Sequence, residues 1–169
     1  MSFAIVVAID NKRGIGRDGD LPWRLSSDLK YFAKLTKATT GKPPTVIMGR
    51  KTYDSIPSKF RPLPERRNVV ISRQQNLSYP MAEVVSSLSQ ALKLVAKDDA
   101  PIYVIGGGQI YAEAINHPDC SALFITHVDL DANCDVFFPE FNQFRRDSTS
   151  QPHIQDNISF VFCKWVKKK

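Results

Sequence analysis

Short apolar runs alternate along the chain with segments whose apolar residues recur at helical spacing. The runs have the length of buried strands and cover residues 3–9, 45–48, 68–72, 102–105, 122–128 and 158–166. The helical stripes consist of Leu25, Leu29 and Phe32; of Leu88, Ala91, Leu92 and Val95; and of Ile110, Ala114 and Ile115. This alternation predicts an α/β fold with a largely parallel sheet, in which ligands bind beyond the carboxyl ends of the strands.

Length and composition are those of an ordinary globular domain. The chain has 169 residues, of which 43% are hydrophobic and 24% are charged. We therefore expect one domain, or a domain with a small lobe. No apolar run approaches the roughly 18–20 residues that a membrane span requires, and the first residues do not have the pattern of a secretory signal. We expect a cytoplasmic protein with no membrane partner.

The formal net charge of +6 is compatible with a nucleic acid, an anionic surface or a small polyanion as partner. A nucleic-acid module has a continuous basic face with exposed aromatic side chains. Here the cations follow predicted strands or lie in the run 167–169, and the aromatic residues lie within apolar runs. Cys120, Cys134 and Cys163 do not have metal-ligand spacing. We predict reduced thiols, no metal site and no nucleic-acid partner.

Residues 14–19, after the first predicted strand, contain three glycines in the pattern G-x-G-x-x-G. A dinucleotide-binding turn with this pattern needs its third glycine within a helix that packs on the strand. Pro22 argues against a helix that continues through Leu21. We therefore predict a flexible loop that closes over a ligand.

Three further strand ends have residues suited to phosphate groups. Residues 106–108 are three consecutive glycines between a predicted strand and a predicted helix, where the backbone can approach a ligand closely. Residues 49–52 (Gly-Arg-Lys-Thr) and 72–73 (Ser-Arg) each combine a hydroxyl with a cation. Each segment alone also fits a tight turn or surface charge. Together they indicate a ligand with more than one phosphate, such as a dinucleotide with an extra 2′-phosphate.

Asp28 lies on the apolar stripe of the first predicted helix, because positions 25, 28, 29 and 32 share one face. One interpretation is a first-turn acid that interacts with the helix dipole. The other is a partly buried carboxylate that hydrogen-bonds a flat, polar heterocycle. Burial would raise the pKa of this acid, and a bound cationic ring would keep it ionised.

These segments occur in the order found in dihydrofolate reductases, and the sequence resembles that family along nearly its whole length. The matching residues are 6–8, 14–16, 19–23, Asp28, Phe32, 48–52, 61–63, Arg66, 72–73, 105–107, Tyr111 and 137–140. The family reduces 7,8-dihydrofolate to 5,6,7,8-tetrahydrofolate with NADPH, for one-carbon metabolism and thymidylate synthesis.

The resemblance implies an α/β fold in a single domain, 1–169, with an adenosine-binding lobe at roughly 39–100. It implies a central, mostly parallel sheet of about eight strands with an antiparallel C-terminal strand, flanked by about four helices. It also implies a monomer, and dihydrofolate, folate and antifolates such as methotrexate or trimethoprim as ligands.

The resemblance further implies a substrate site around Asp28, which would hydrogen-bond the pterin 2-amino group and N3. A hydride would pass from nicotinamide C4 to pterin C6, and N5 would gain a proton from water admitted beside Leu21. Trp23 and Thr126 would support the acid, directly or through water, and Arg66 would bind the α-carboxylate of the glutamate tail. The other substrate contacts would be Val6, Val7, Ala8, Leu29, Phe32, Ile56, Leu63, Ile105 and Tyr111.

The implied NADPH contacts form three groups. The first group comprises Ala8 with Ile15, Gly16, Gly19, Asp20 and Leu21. The second comprises Gly49, Arg50, Lys51, Thr52, Ser72 and Arg73. The third comprises Ile105, Gly106, Gly107, Gly108, Gln109, Ile110 and Tyr111. The cations of the second group would give a preference for NADPH over NADH, and Gly106-Gly107 matches a pair joined by a cis peptide in the family.

Two alternatives stay open beside this interpretation. A reductase of related fold that acts on another pteridine, or on a ribityl-pyrimidine, would share the NADPH contacts. Such an enzyme should lack the combination of Asp28 and Arg66. The second alternative is the nucleic-acid module, which the distribution of cations disfavours.

Overall fold

The computed structural model describes residues 1–38 and 41–169, and within them it has four α-helices and eleven strands. The helices are α1 (Ser26–Thr36), α2 (Arg50–Ser55), α3 (Leu88–Val95) and α4 (Gly108–Ala114). The strands are β1 (Phe3–Ile9), β2 (Gly14–Gly16), β3 (Thr45–Gly49), β4 (Arg67–Ile71), β5 (Glu83–Val85), β6 (Ile102–Gly106), β7 (Cys120–Val128), β8 (Val136–Phe137), β9 (Phe144–Thr149), β10 (His153–Gln155) and β11 (Ile158–Lys167).

The main sheet has the strand order β10-β11-β7-β1-β6-β3-β4-β5, and β9 also pairs with β11. The six strands from β7 to β5 are parallel, whereas β11 runs antiparallel to β7. The predicted α/β class, the mostly parallel sheet and the antiparallel C-terminal strand are therefore confirmed. The carboxyl ends of the parallel strands lie at one edge, where β1, β3, β4 and β6 deliver the segments predicted to bind ligand.

The two faces of the sheet are covered by different helices. On one face, Leu88 and Leu92 of α3 belong to a buried cluster with Ile5 and Val7 of β1. The opposite face is covered by α1, whose Asp28 contacts β7 and whose Tyr31 stacks on Phe162 of β11. Coverage on both faces explains why the central strands are almost continuously apolar.

The apolar stripe predicted for α1 is only partly buried. Leu25, at the start of the helix, is 2% exposed, but Leu29 is 58% exposed. Leu29 therefore lies at the protein surface, next to Asp28 in the sequence, and adds little to the hydrophobic core. An apolar side chain in this position is available to contact a ligand.

The glycine-rich segment after β1 differs from the predicted flexible loop. Gly14 and Gly16 pair with β8, and only Arg17–Asp20 forms a turn. A Cβ at Gly14 would lie 2.5 Å from the Cys134 Sγ and 2.8 Å from an oxygen of Asp10, so only glycine permits this approach. Among the described residues, no helix lies between this segment and Ser26, which agrees with the prediction from Pro22.

All three cysteines of the chain are free, and Cys120 and Cys163 are buried. This state agrees with the predicted reduced thiols. None of the described helices has both the length and the apolar character needed to cross a membrane.

Candidate active site

The first element of the site is a carboxylate held by a buried threonine. Leu25 anchors the start of α1, which places Asp28 in the first turn above β7. The Thr126 hydroxyl, 3% exposed, donates a hydrogen bond of 2.7 Å to Asp28 Oδ1. Burial raises the pKa of Asp28, and the bond from Thr126 opposes that shift only in part. No basic side chain in the described ranges forms an ion pair with Asp28, so its charge is available to a ligand.

Trp23 lies in the same apolar surroundings and is 4% exposed. It packs in a cluster with Val128 and Phe160, against which Ala8 also packs. Its indole Nε1 is buried and has no hydrogen-bond partner among the residues that the structure describes. A buried donor without an acceptor costs about 1–3 kcal/mol, so Trp23 is suited to donate to a bound molecule.

The second element is a half-buried guanidinium without an acid. Arg66 donates through Nε to the Pro64 carbonyl at 2.9 Å and through Nη1 to Thr36 Oγ1 at 2.9 Å. Its neighbour Glu65 pairs with Lys37 at 3.3 Å, and no ion pair to Arg66 is found within the described chain. Burial lowers the pKa of Arg66, although the charge of Glu65 opposes that effect. Arg66 therefore has unused donors that suit an anion.

Asp28 and Arg66 are linked by one side of α1. Phe32, one turn after Asp28, lies under the guanidinium with 5.9 Å between Cζ and the ring centre. The predicted wall residues Ile56 and Leu63 are partly buried against a cluster that contains Val46 and Met48. This arrangement suits a molecule with hydrogen-bond donors at one end, an apolar middle and a carboxylate at the other end.

The third element consists of two glycine corners, which are the strand-to-helix turns at Gly49, after β3, and at residues 106–108, after β6. The peptide bond between Gly106 and Gly107 is cis, as the resemblance described above implies. A Cβ added at Gly107 would lie 3.3 Å from Thr52 Oγ1. The starts of α2 and α4 have no side-chain cap, so their first N–H groups can donate to phosphate oxygens. Gly108 is needed for packing too, since a Cβ there would lie 2.9 Å from Val136.

The predicted phosphate-binding cations follow neighbouring strands, β3 and β4. Arg50 already pairs with Asp54 of its own helix at 3.1 Å. Lys51 and Arg73 are exposed and have no ion pair in the part of the chain that the structure describes. Ser72 is buried, and its hydroxyl accepts a hydrogen bond from the Gln74 N–H at 3.1 Å. The structure thus brings these groups to one edge with most of their donors unused.

Of the predicted loop residues, Ile15 and Gly16 lie in β2, and Gly19, Asp20 and Leu21 lie between β2 and α1. Asp135 fastens this loop, because its N–H donates to the Gly16 carbonyl at 2.9 Å and its carboxylate accepts from the Asp18 N–H at 3.0 Å. Ile15 packs against the main core, and Leu21 is 39% exposed. Gly19 has φ +79° and Asp20 is exposed, both in the turn at the tip.

The remaining predicted residues lie in the C-terminal halves of β1 and β6 and in α4. The Tyr111 hydroxyl donates to the Val6 carbonyl at 2.8 Å, and Ala8 pairs in register with Thr126. The Val7 side chain, however, packs into the core on the opposite face of the sheet. Ile105 is partly buried, Ile110 lies beside Gly49, and Gln109 is exposed.

Sequence reasoning missed two acids that position the loop, Asp10 and Asp135. Asp10 is 4% exposed and accepts hydrogen bonds from the Gly14 N–H at 2.7 Å and the Ala132 N–H at 3.1 Å. Burial opposes the ionisation of Asp10, but its backbone hydrogen bonds outweigh that effect and lower the pKa. An acid directly after a buried strand was the available signal for Asp10. Asp135 has no local sequence signal.

Comparison with known proteins adds an independent finding. The sequence model of the family described as Dihydrofolate reductase matches residues 2–167. A dihydrofolate reductase from Aedes albopictus is 38% identical over an alignment of 182 positions, which covers 99% of this chain and 97% of that protein. One from Drosophila melanogaster is 37% identical, with 96% of this chain and 94% of that protein covered.

Plant proteins match at similar identity but are much longer. A bifunctional dihydrofolate reductase-thymidylate synthase from Glycine max is 40% identical over an alignment of 178 positions, which covers 98% of this chain. The chain spans about a third of the length of such plant relatives, 34% in that case.

Proposed function

This chain belongs to the dihydrofolate reductase family, and from that premise we propose that it reduces 7,8-dihydrofolate to 5,6,7,8-tetrahydrofolate with NADPH. The observation that carries the proposal is the pairing of Asp28 with Arg66 along one side of α1. Each is an ionisable group removed from water without a counter-ion among the described residues. Dihydrofolate has the complementary groups, with amino and ring N–H donors at the pterin and a carboxylate on the glutamate.

At the pterin end, Asp28 accepts hydrogen bonds from the 2-amino group and N3. The Thr126 hydroxyl holds Oδ1, which leaves Oδ2 and the outer side of Oδ1 for the ligand. Trp23 Nε1 donates to a water or to the ligand. The charge of Asp28 favours the protonated pterin, and water admitted beside Leu21 donates the proton at N5.

At the tail end, Arg66 binds the α-carboxylate of the glutamate. Thr36 and the Pro64 carbonyl already fix the guanidinium plane, so little side-chain entropy is lost on binding. Leu29, Phe32, Ile56 and Leu63 contact the apolar middle of the substrate. Leu29 is 58% exposed, and its burial by the ligand contributes a hydrophobic gain.

The strand-end segments fit NADPH. The glycine corners have no side chain that would block a pyrophosphate, and the first N–H groups of α2 and α4 lack side-chain caps. Residues 49–52 and 106–110 would hold the pyrophosphate and its riboses. Arg50 and Arg73, with Ser72, would bind the 2′-phosphate. When bound, NADPH supplies the hydride that reduces pterin C6. The stretch from roughly 39 to 100 would form the adenosine-binding lobe, although residues 39 and 40 lie outside the described residues.

The test is a steady-state assay at 340 nm with NADPH and dihydrofolate, with and without methotrexate. We expect turnover that methotrexate abolishes at stoichiometric concentration. The discriminating control is a dihydropterin without the p-aminobenzoyl-glutamate tail. Equal kcat/KM for the tailless substrate would contradict the role of Arg66 and favour a reductase of another pteridine. No oxidation of NADPH with either substrate would reject the proposal.

A further inference from the structure

A groove of about 450 Å³ lies along the other side of α1. Tyr31, Lys34 and Leu35 line it from the helix, and Tyr103 lines it from β6. With 100° between successive helix residues, Lys34 lies about 160° around the helix from Thr36, the residue bonded to Arg66. Lys34 and Thr36 therefore lie on opposite sides of the helix. Leu35 lies only about 20° around the helix from Asp28, so the groove borders the Asp28–Arg66 site, but neither of these two residues lines it.

The walls of this groove are aromatic and held in place. Tyr31 stacks on Phe162 with ring centres 3.9 Å apart and 16° between the planes. Tyr103 meets Phe124 edge-on at 6.5 Å. Both tyrosines are half-buried, and burial raises the pKa of each. Two rings already fixed by their neighbours form a rigid surface, on which a flat ring can stack with little loss of side-chain entropy.

Every charged residue that lines the groove is a lysine, namely Lys34, Lys37 and Lys42. Lys37 pairs with Glu65 at 3.3 Å and Lys42 with Asp99 at 3.9 Å, but both acids are largely exposed, at 70% and 92%. Lys34 forms no ion pair within the described ranges. The groove thus combines aromatic walls with a cationic rim, which complements an aromatic anion.

We propose that this groove is a second small-molecule site, whose ligand is a flat aromatic compound with one carboxylate or sulfonate group. The ring would stack on Tyr31 and Tyr103, and the anionic group would lie at Lys34. A volume of about 450 Å³ accommodates two or three fused or linked rings. The proposal does not depend on the activity proposed above, because the site shares no residue with the Asp28–Arg66 cleft.

The probe for a test is 8-anilinonaphthalene-1-sulfonate, whose fluorescence rises on transfer to an apolar surface. We expect one equivalent to bind the wild-type chain, and to stay bound when methotrexate and NADPH saturate the cleft. Lys34→Glu should raise the Kd of the dye about tenfold. Lys93→Glu is the matched control, since Lys93 is an exposed lysine in the last turn of α3, on the other face of the sheet. It should change the Kd less than twofold.

A neutral analogue, N-phenyl-1-naphthylamine, separates the charge from the ring. Lys34→Glu should leave its Kd unchanged, whereas Tyr103→Ala should raise the Kd of both dyes at least fivefold. Circular dichroism and thermal unfolding establish that each variant is folded. Displacement of the sulfonate dye by methotrexate, or equal losses in Lys34→Glu and Lys93→Glu, would overturn the proposal. Dye titrations of the variants without methotrexate test the groove even if the reductase activity is absent.

Discussion

The two halves of the candidate active site handle charge in opposite ways. In the substrate half, Asp28 and Arg66 are partly removed from water, and neither has a counter-ion among the described residues. In the cofactor half, Arg50 pairs with Asp54 at 3.1 Å, and Lys51 and Arg73 are exposed. Unpaired charge in a low dielectric interacts strongly with a ligand, whereas exposed cations act through their sum and are screened by salt. Single substitutions should therefore have large effects in the first half and small ones in the second.

The largest effect is expected for Asp28→Asn, which keeps the shape of the side chain and removes its charge. Loss of a preorganised electrostatic group typically costs about 10²- to 10³-fold in turnover, and we expect kcat to fall by this factor at neutral pH. The deficit should be smaller at acid pH, because solvent can then supply the proton that the charge of Asp28 favours. The measurement is kcat against pH for both proteins, with the NADPH Kd as control. Near wild-type turnover would remove Asp28 from the reaction.

The second effect concerns Arg66. Replacement by Leu should raise KM for dihydrofolate about 30-fold, the value of one charge-assisted hydrogen-bonded pair, with kcat changed far less. Arg66→Lys should restore only part of this loss, because a lysine cannot bind a carboxylate with two parallel hydrogen bonds. The matched control is Arg73→Leu, an arginine of the cofactor half, for which we expect no change in the KM for dihydrofolate. A rise in KM for a substrate without the glutamate tail would contradict the assignment.

In the substrate half, sequence patterns predicted where residues lie on α1 better than they predicted which charges are paired and which side chains are exposed. Helical spacing placed Asp28 on one face with Leu25 and Phe32 but fitted both a first-turn acid at the helix dipole and a ligand-binding carboxylate, and only the family resemblance favoured the second. The fact that Arg66 lacks an acid depends on Glu65 binding Lys37, a tertiary choice between two adjacent charges. Spacing also placed Leu29 on a buried stripe, whereas the structure leaves it 58% exposed.

For the fold, the alternating apolar runs identified β1, β3, β4, β6, β7 and β11, and the stripes identified three of the four helices, α1, α3 and α4. The strands missed include β5, β8, β9 and β10, of which β9 is polar almost throughout. Its strand conformation comes from pairing with β11, so tertiary contacts and not local preference determine it. The short strand β2 was also missed, since glycine disfavours strands unless a close approach, here to Cys134, requires it.

A third effect tests the cofactor half directly. The double variant Arg50→Ala, Arg73→Ala should raise the Kd of NADPH about tenfold more than that of NADH, because the two differ only in the 2′-phosphate. Each single variant should have a smaller effect, since exposed cations contribute through a summed field. Fluorescence titration of each nucleotide at low and high salt measures this, and the difference should shrink as salt increases. Equal losses for NADPH and NADH would reject the 2′-phosphate assignment.

The smallest expected effect is a change in Tm, which compares how an aspartate in each half contributes to the stability of the fold. Because burial raises the pKa of Asp28 above its ordinary value of 3.8, the folded state binds this proton more tightly than the unfolded state does. Stability is therefore lost as pH rises through the interval between the two pKa values, and the full cost persists at neutral pH. Asp28→Asn removes the charge while its amide oxygen can still accept from Thr126, so we expect Tm at pH 7.5 to rise by about 2–4 °C.

The same substitution in the cofactor half, Asp54→Asn, removes an acid that pairs with Arg50 and accepts from the Tyr79 hydroxyl at 2.7 Å. It should leave Tm unchanged or lower it by about 1–2 °C, since an exposed pair contributes little. Calorimetry of the wild type and both variants between pH 4 and pH 7.5 measures these Tm differences. The Tm advantage of Asp28→Asn should narrow as the pH falls towards the raised pKa of Asp28, because the wild-type carboxylate then takes up a proton and loses the charge that binding requires. A wild-type Tm above that of Asp28→Asn at pH 7.5 would mean that Asp28 stabilises the fold, and its place in a ligand site would need another explanation.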